Sequence, residues 1–445
     1  MTNIAAVKAG ESGSASGAGD RGARWMVTLL TIGYALNLLD RQIINILGEP
    51  IKRDLHLADW QLGALSGISF ALLYSVAALP IARLADRSNR ARIIGIAILV
   101  WSFFTAAGAV AANFVQLLLL RIGVGVGEAG GGPPSQSLIA DSFPPERRSG
   151  ALAIFSLGAP VGASIGLIGG GILAGVIGWR WTLVCAGVPG LVLGALVLLT
   201  VRDPHRDVPV KREAPSLRSA LAMLASSRAF LLIVFGTALL SFVNYGAMAF
   251  AGSFYLRIHV VELAALGARI GLDPLGVVGL GLGLLGATGG SLGAMVGGRL
   301  GDRLGVRDVR ALALIPAVGS VLCAASYVVM FTLPGAVASL ASFAVASFFS
   351  SLWYGPGTLA MQRLAGPDSK ATALAVALLV NSMIGLSLGP LLIGVASDAM
   401  APGLGQAEGL RAGILMGLSA GLVSGLLLWL ASRRIAADLT EREGV

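Results

Sequence analysis

The stretch that decides the fold is Trp25–Leu47, which reads WMVTLLTIGYALNLLDRQIINIL. At roughly 1.5 Å of rise per residue, a helix of this length crosses the bilayer core of about 30 Å. Asp40 and Arg41 nevertheless lie side by side within it. Charged side chains inside a membrane are costly and usually face a bundle interior or a wet cavity. The stretch therefore predicts a membrane span whose two charges serve a function.

The composition of the whole chain is that of an integral membrane protein. Of its 445 residues, 56% are hydrophobic and 12% are charged, and the mean hydropathy is +0.82. Soluble domains are about 25% charged. Long apolar runs recur along the chain and predict twelve spans, numbered here in chain order: 25–47, 62–82, 93–112, 115–140, 150–175, 180–201, 229–256, 275–298, 311–331, 334–361, 372–397 and 411–432.

The distribution of Lys and Arg predicts the orientation of these spans. With a cytoplasmic N-terminus, roughly four times as many of these residues flank the spans on the inner side as on the outer side, which is the bias expected of cytoplasmic loops. We therefore expect both termini in the cytoplasm. Arg far outnumbers Lys, and Ala and Gly are abundant, as is typical of GC-rich bacterial genomes. These features predict a multi-pass protein of a bacterial inner membrane.

Composition also divides the chain into segments. The first residues are rich in Gly, Ser and Ala and predict disorder. The longest charged interval separates six spans from six, and its part 215–224 carries Leu at helical spacing. That spacing favours a short amphipathic helix on the inner face, with a plain flexible linker as the alternative. The expected segments are a disordered cytoplasmic tail (1–24), an N-terminal six-helix bundle (25–201), a cytoplasmic linker (202–228), a C-terminal six-helix bundle (229–432) and a cytoplasmic tail (433–445).

An internal repeat relates the two halves. The hexamer ARLADR at 82–87 recurs as GRLGDR at 298–303. Each copy follows the second span of its half, which makes a chance match unlikely in position as well as in sequence. Two parallel repeats of six spans are an architecture of secondary transporters. The repeat therefore predicts a transporter built from two similar bundles.

Six plus six spans with this repeated loop resemble the major facilitator superfamily. Its loop between spans 2 and 3 runs roughly Gly-x-x-x-Asp-Arg-x-Gly-Arg, and residues 82–90 keep Asp86, Arg87 and Arg90. The resemblance implies an all-α membrane protein of twelve transmembrane helices in two six-helix bundles. Within the superfamily the chain resembles the Spinster family, whose animal members transport lysolipids and sphingolipid phosphates. Four stretches carry this likeness: NLLDRQIINILGEPIKRDLHLADWQLGAL (37–65), LPIARLADRSNR (79–90), RIGVGVGEAGGGPPSQSLIADSFPPERR (121–148) and WRW (179–181).

Four ionisable residues lie well inside the predicted spans: Asp40, Arg41, Arg121 and Glu128. Arg121 and Glu128 are seven positions apart, so they share one face of span 4, about 10 Å from each other along the helix axis. Because that separation is too long for a direct pair, each needs a partner on another span. Span 1 offers one charge of each sign. We therefore predict a cluster of two acids and two bases between spans 1 and 4.

Two interpretations of this cluster remain open from the residues alone. Ion pairs could simply fix the helix packing, although desolvation offsets much of the attraction in a buried pair. Alternatively, an acid whose proton affinity depends on its distance from an Arg meets the requirement for proton-coupled transport. The Spinster resemblance implies that Asp40 and Glu128 bind protons and that Arg41 and Arg121 are their counter-charges. An Arg can also hold an anionic headgroup through paired hydrogen bonds.

Further residues are candidates for a cavity and a gate. Polar and aromatic residues within the spans are expected to line a cavity, with ordinary hydrogen bonding between helices as an equal alternative: Asn37, Asn244, Tyr245, Trp353, Tyr354 and Asn381. At the inner ends of the spans, the superfamily resemblance implies a cytoplasmic gate that holds the outward-facing state, and a solvated charged loop is the alternative. The gate candidates are Asp86, Arg87, Arg90, Glu146, Arg147, Asp302 and Arg303.

Residue content disfavours several other kinds of site. Cys185 and Cys323 lie far apart in apolar runs and the three His are isolated, so we expect no metal site. The Gly-x-Gly-x-x-Gly patterns at 125–130 and 281–286 follow no strand, so they do not indicate dinucleotide binding. No Lys-Ser/Thr pair follows a Gly-rich loop, and we expect no cofactor. The chain has no basic face with interleaved aromatic residues, so we expect no nucleic-acid partner.

The predicted protein is a monomeric secondary transporter and not an enzyme. It would move an amphipathic, lipid-like small molecule by alternating access between its halves, coupled to protons and surrounded by membrane lipids. Within transport, the alternatives are an uncoupled facilitator, or a drug or metabolite exporter that uses the charge cluster only as a gate. From other classes, a membrane-embedded lipid enzyme would need a nucleophile and a base, but no His lies within a span. A receptor that transports nothing would have no need of the repeat and the gate residues.

Overall fold

The computed structural model describes residues 4–69, 80–81, 84–85, 88–203, 223–366 and 369–443, and every regular element in these ranges is helical. The helices of the N-terminal half are Ile4–Ile46 (span 1), Gly48–Leu55, Asp59–Ser66 (the start of span 2), Arg90–Ala107 with the 3-10 turn Gly108–Val110 (span 3), Phe114–Glu128 and Gly132–Ser142 (span 4) and Pro145–Thr200 (spans 5 and 6). The helices of the C-terminal half are Arg228–Ile258 (span 7), Val260–Ile270, Pro274–Arg307 (span 8), Ala311–Thr332 (span 9), Ala336–Ser351 and Tyr354–Ala365 (span 10), Lys370–Val380, the π-helix Asn381–Leu388 and Gly389–Leu404 (span 11), and Gln406–Leu418 and Ala420–Glu443 (span 12).

Length and hydropathy support the membrane assignment. Within the described ranges, nine helices are long and apolar enough to cross a membrane. One of them, Pro145–Thr200, has 56 residues and is long enough to cross twice; its backbone turns at Gly178, where φ is 76°, a conformation that favours glycine. The helix that holds span 1 is not among the nine, and the charges of Asp40 and Arg41 lower its hydropathy. The prediction of an all-α membrane protein is confirmed.

The first helix begins earlier than the composition predicted. It starts at Ile4 and runs without interruption into span 1, whereas residues 1–24 were expected to form a disordered tail. Residues 4–24 include five Gly, which have a low helix propensity. The disordered tail expected over residues 1–24 therefore stays a prediction.

Some predicted features lie outside the described residues. These are Asp86 and Arg87, the greater part of the amphipathic helix expected at 215–224, most of the linker 202–228, and the middle of span 2. The segment boundaries therefore stay predictions. The described helices do show a further correspondence between the halves, because Gly48–Leu55 and Val260–Ile270 each connect the first span of a half to the second.

The buried apolar side chains show how the two halves meet. Among the described residues they form three clusters. One lies towards the side that the predicted orientation makes the outer one, and it contains residues of both halves, such as Ile46, Leu65, Phe250 and Phe254. The other two lie towards the inner side, and each belongs to one half: one surrounds Trp101, and the other contains residues of spans 7, 9, 10, 11 and 12. The halves thus share a core on the outer side and have separate cores on the inner side.

Candidate functional site: a charged cavity beneath an outer lock

Spans 1 and 4 meet at an ion pair. The Nε of Arg41 donates a hydrogen bond to Oε2 of Glu128 at 2.9 Å. The Glu128 side chain is fully buried, whereas that of Arg41 is 27% exposed. Asn37, which precedes Arg41 by about one helical turn, also lies close enough to Glu128 to interact with it. Span 1 therefore contacts Glu128 through two side chains, and the guanidinium of Arg41 remains accessible from one side.

Asp40 occupies the opposite side of this cluster and is bonded to span 3. The hydroxyl of Thr105 donates to Oδ2 of Asp40 at 3.1 Å. Asp40 is 2% exposed, and its Oδ1 is buried without a hydrogen-bond partner in the described part of the chain. Protonation would remove the cost of burying this charge. Sequence reasoning missed Thr105, for which the only signal was a hydroxyl within an apolar span.

Arg121 lies near both acids but pairs directly with neither. It is 4% exposed, and within the described residues its Nε has no hydrogen-bond partner. It interacts electrostatically with Glu128 and Asp40, yet no ion pair within 4.0 Å joins it to them in the described ranges. Arg121 therefore lacks the direct partner on span 1 that the sequence predicted. Asp40 is bonded to Thr105 instead, and Glu128 is bonded to Arg41. The four charges form one cluster with a single direct ion pair.

Small residues of span 4 let span 3 approach this cluster. A Cβ at Gly127 would lie 2.7 Å from the backbone nitrogen of Trp101, and one at Gly131 would lie 3.3 Å from its ring. A Cβ atom does not approach a backbone nitrogen as closely as 2.7 Å, so residue 127 must be glycine for spans 3 and 4 to cross at this distance. This close crossing packs Trp101 against the backbone of span 4. The glycines that resemble a dinucleotide motif in the sequence thus serve helix packing.

A cavity of about 470 Å³ opens beside the ion pair. Arg41, Glu128 and Asn37 line it from the N-terminal half. Tyr245 and Tyr354 line it from the C-terminal half. Asp40 and Arg121 are not among the residues that line it and lie deeper in the bundle. The cavity therefore reaches one acid of the cluster directly and the other only through the protein.

A second cavity, of about 120 Å³, adjoins the first within the C-terminal half. Tyr245 and Tyr354 line both cavities. Asn244, Trp353 and Asn381 line the second. The six residues expected to line a cavity therefore all line one of these two, and what they bind stays a prediction.

On the outer side, one Arg joins the two halves. Arg257, at the end of span 7, donates from Nη2 to Oδ1 of Asp59 at 2.7 Å and from Nε to Oε2 of Glu49 at 2.9 Å. Lys52 Nζ also donates to Asp59 Oδ1, at 2.6 Å. Burial alone would raise the pKa of Asp59, but hydrogen bonds and charge from Arg257, with hydrogen bonds from Lys52 and Ser397, lower it to about 2. Asp59 is therefore ionised throughout the physiological range.

A second acid bridges the halves at the start of span 2. Oδ1 of Asp398, in span 11, accepts from the backbone N–H of Asp59 at 3.0 Å, and its Oδ2 accepts from that of Trp60 at 2.8 Å. The first N–H groups of a helix have no partner within it, and a negative charge there is favourable. The N-terminus of span 2 is thus capped by a residue of the other half.

Glycines bring spans 2 and 11 into backbone contact beneath this cap. A Cβ at Gly67 would lie 2.5 Å from the carbonyl oxygen of Leu386, and a Cβ at Gly63 or Gly394 would overlap the backbone of Pro390 or Asp59. We call these three glycines, with Arg257, Glu49, Lys52, Asp59 and Asp398, the outer lock. Sequence reasoning missed it because its charges lie outside the predicted spans. One sequence feature could have indicated it. Basic residues are rare at the predicted outer ends of the spans, yet several of those ends carry both acidic and basic residues.

Comparisons with known proteins agree with this geometry. The sequence model of the Major Facilitator Superfamily matches residues 30–390. The chain is 33% identical to an MFS-type efflux pump of Mycolicibacterium smegmatis over 95% of this chain and 96% of that protein. It is 28% identical to the sphingosine-1-phosphate transporter SPNS2 of Xenopus tropicalis, over 88% and 78% of the two chains. Its fold matches the crystal structure of a bacterial homologue of the human lysosomal transporter Spinster with a TM-score of 0.85, at 28% identity, over 94% of this chain and 98% of that one.

The chain belongs to the major facilitator superfamily. It is similar to proteins of the Spinster family, and the matched bacterial Spinster structure was captured in an inward-facing and unoccupied conformation. In the present structure, the outer lock and the shared outer core close the described part of the molecule on its outer side. Membership of the superfamily also makes the protein a transporter of small molecules and not an enzyme.

The inner ends of the spans hold the remaining gate candidates of this transporter. Glu146, Arg147, Asp302 and Arg303 are all exposed. Within the described ranges, Asp302 and Arg303 form no ion pair. Both observations are those expected of a gate that joins the halves only in the outward-facing state. Its role stays a prediction, since Asp86 and Arg87 lie outside the described residues.

Arg90 differs from the other gate candidates because it is buried and fully engaged. Its Nη2 donates to Oδ1 of Asp203 at 2.7 Å, and its Nη1 donates to Oδ2 of Asp141 at 2.5 Å and to the hydroxyl of Ser137 at 2.9 Å. These partners follow span 6 or lie at the inner end of span 4, so all belong to the N-terminal half. In this structure Arg90 therefore ties one bundle together and does not bridge the two.

Proposed function

We propose that the protein is a proton-coupled secondary transporter of an amphipathic small molecule and works by alternating access. The ion pair between Arg41 and Glu128 at the cavity wall is the observation that supports this most directly. An acid that is buried on one side and meets the substrate cavity on the other can exchange its proton as the substrate binds. Asp40, buried nearby with one oxygen unpartnered in the described chain, would be the second proton site.

The pair suggests how the proton and the substrate communicate. Protonation of Glu128 removes the negative charge that holds Arg41, so the guanidinium can then bind an anionic group of the substrate. An anionic substrate and a proton would then travel together. A cationic substrate would instead bind to ionised Glu128 and so exchange with a proton. The direction of coupling should therefore follow the charge of the substrate.

The substrate class rests on the cavity and on the relatives. The larger cavity has charged groups at one end and aromatic and apolar side chains elsewhere, including Tyr34, Phe155 and Leu378. One relative is a sphingosine-1-phosphate transporter and another is an efflux pump, and an amphipathic anion such as sphingosine-1-phosphate fits a mixed cavity. We further propose a monomer in a bacterial inner membrane with both termini in the cytoplasm, as the positive residues of the inner loops favour.

The alternative is an uncoupled exporter in which the charges act only as a gate. The same ion pair supports it, because a pair between two spans also fixes their packing. Proteoliposomes under an imposed pH gradient separate the two, with radiolabelled sphingosine-1-phosphate, lysophosphatidylcholine and ethidium as the probes. We expect the gradient to increase uptake of at least one probe severalfold.

Matched variants test whether the response of uptake to the pH gradient depends on Glu128 and Asp40. We expect Glu128→Gln and Asp40→Asn to abolish the response to the gradient while the protein stays folded. Glu408→Gln is the control, because Glu408 is exposed on the outer side and pairs only with Arg411. Uptake by the wild-type protein that ignores the pH gradient would favour the uncoupled exporter.

A further inference from the structure

Two irregularities of the helices converge on the second cavity. Span 10 is interrupted between Ser351 and Tyr354, and span 11 changes to a π-helix over Asn381–Leu388. The backbone of Leu352 and Trp353 keeps helical dihedral angles, so the interruption of span 10 is a local change of hydrogen bonding. Such departures from the regular α-helical pattern, π-helical turns among them, are frequent at functional sites. Trp353 lies in the interruption and Asn381 begins the π-helix, and both line the same cavity. The two irregularities therefore mark one place in the C-terminal half.

Two carboxamides of this cavity have unpartnered amide groups. Oδ1 of Asn244 accepts from the hydroxyl of Tyr327 at 2.7 Å, which occupies the oxygen and so orients the nitrogen. Oδ1 of Asn381 lies 3.3 Å from the hydroxyl of Thr237, which also donates to the carbonyl of Val234 at 3.0 Å. Neither Nδ2 has a hydrogen-bond partner within the described ranges, and both residues line the cavity. The cavity therefore offers two amide groups without a partner on nitrogen, and that of Asn244 is held in orientation by Tyr327.

The remaining wall is uncharged and mixes polar groups with the apolar side chains of Leu240 and Leu378. Ser241 and Ser382 add hydroxyl groups, and no charged side chain of the described residues lines the cavity. The rings of Trp353 and Tyr354 stack with a centroid separation of 4.6 Å and form a flat aromatic side. A volume of about 120 Å³ is several times what one ordered water needs. These features suit a small neutral group that lies against the rings and accepts hydrogen bonds.

We propose that this cavity is a second binding site for the substrate, specific for a neutral hydrogen-bond acceptor such as a hydroxyl, carbonyl or ether oxygen. The inference rests on the proposed function, because it places the charged end of the same molecule at Arg41 and Glu128. Tyr245 and Tyr354 line both cavities, so the two lie side by side and the proposal places one molecule across both. A substrate with a second polar group at the end away from its charge is then preferred over one whose far end is a plain acyl chain.

The second cavity should bind a ligand with a polar end more tightly than one with an alkyl end. An alkyl end in this cavity would displace water from the two amide groups without forming hydrogen bonds to them. Burying polar groups without a hydrogen-bond partner costs free energy. Sites built to bond a polar group reject the analogue that lacks it more strongly than an apolar pocket rejects an added hydroxyl. Asn244 and Asn381 are the residues expected to set this preference.

Calorimetry with matched amphiphiles tests the proposal on the full chain in lipid nanodiscs. The probes are decyl phosphate with 10-hydroxydecyl phosphate, and decyltrimethylammonium with 10-hydroxydecyltrimethylammonium, each corrected with empty nanodiscs. In the pair whose charge the protein accepts, we expect the hydroxylated member to bind about 3- to 10-fold more tightly. Asn381→Leu and Asn244→Leu should each remove this preference and leave the plain member bound at least as well. Thr288→Val is the control, since Thr288 is exposed on span 8 and lines neither cavity.

Each outcome decides the question. Tighter binding of the plain member by the wild-type protein would overturn the proposal, even if the Asn variants fail to fold. A preference that persists unchanged in both Asn variants would also overturn it. If neither pair binds at all, the second site falls together with the amphipathic substrate of the proposed function. A protein that shows proton-driven uptake yet no preference for the hydroxyl would keep the proposed function and lose only the second site.

Discussion

At the scale of single residues, the structure separates two kinds of charge. Glu128 and Asp40 are buried near the cavity, and the proposal gives them protons to exchange. Asp59 is also buried, but it is held by Arg257 and Lys52 and its pKa is lowered to about 2. An acid that stays ionised from pH 5 to 8 cannot report on pH in that range. The charge of Asp59 in the outer lock is therefore constant over that range, whereas the proposal has the acids of the inner cluster exchange protons.

This distinction predicts the pH dependence of the outer lock. When the halves separate, Asp59 should return towards its ordinary pKa of about 3.9. A group whose pKa is lowered in the closed state stabilises that state above about pH 4, and this stabilisation disappears as the pH falls towards 2. Asp59→Asn should therefore lower the ratio of closed to open molecules roughly tenfold or more, because the buried Arg257 loses one of its two acidic partners. The loss should be the same at every pH between 5 and 8.

Spin labels on the outer side measure this closed fraction. Val110 and Val261 lie in different halves and are 81% and 80% exposed, so labels there should not disturb the lock. Cys185 and Cys323 would first be replaced by Ser. A difference between the wild-type protein and Asp59→Asn that shrinks from pH 8 to pH 5 would show that Asp59 itself titrates and would refute this assignment.

At the scale of elements, spans 2 and 11 depend on glycine for their contact. Gly394→Ala would place a Cβ against the backbone of Asp59, and no flexible side chain is there to give way. We expect this variant to force the spans apart and to add a longer distance between the labels at Val110 and Val261. Gly403→Ala is the matched control, because a Cβ at Gly403, in the same helix, meets nothing within 4 Å. Equal distance distributions in the two variants would contradict the role given to Gly394.

The elements also show what the sequence could and could not predict. Hydropathy and the repeat around Asp302 and Arg303 predicted the spans, because long apolar runs and duplicated loops are local signals. The cost of burying charge identified Asp40, Arg41, Arg121 and Glu128. The sequence does not show which of them touch, and Thr105 took the place expected for Arg121. The outer lock depends on Gly63 and Gly394, which lie more than three hundred positions apart in the chain, and such a crossing of spans leaves no local pattern.

At the scale of the whole molecule, the described residues form one shared core outside and two separate cores inside. Alternating access requires the outer core and lock to part while new contacts form between the inner ends. Asp302 and Arg303, exposed in this structure, are available for such contacts. The charge cluster belongs to the N-terminal half and the neutral donors to the C-terminal half, so movement of the halves changes the distance between the two ends of the site. Binding of a substrate that contacts both ends of the site would therefore be coupled to the movement of the two halves.

The central claim is that substrate movement and proton movement are coupled through Glu128. The most direct measurement uses proteoliposomes with no initial pH gradient, an imposed gradient of a transported probe such as sphingosine-1-phosphate or ethidium, and a pH-sensitive dye inside. We predict that flow of the probe moves protons in the wild-type protein and in Glu408→Gln, and moves none in Glu128→Gln. Transport of the probe by the wild-type protein with no change of internal pH would contradict the claim.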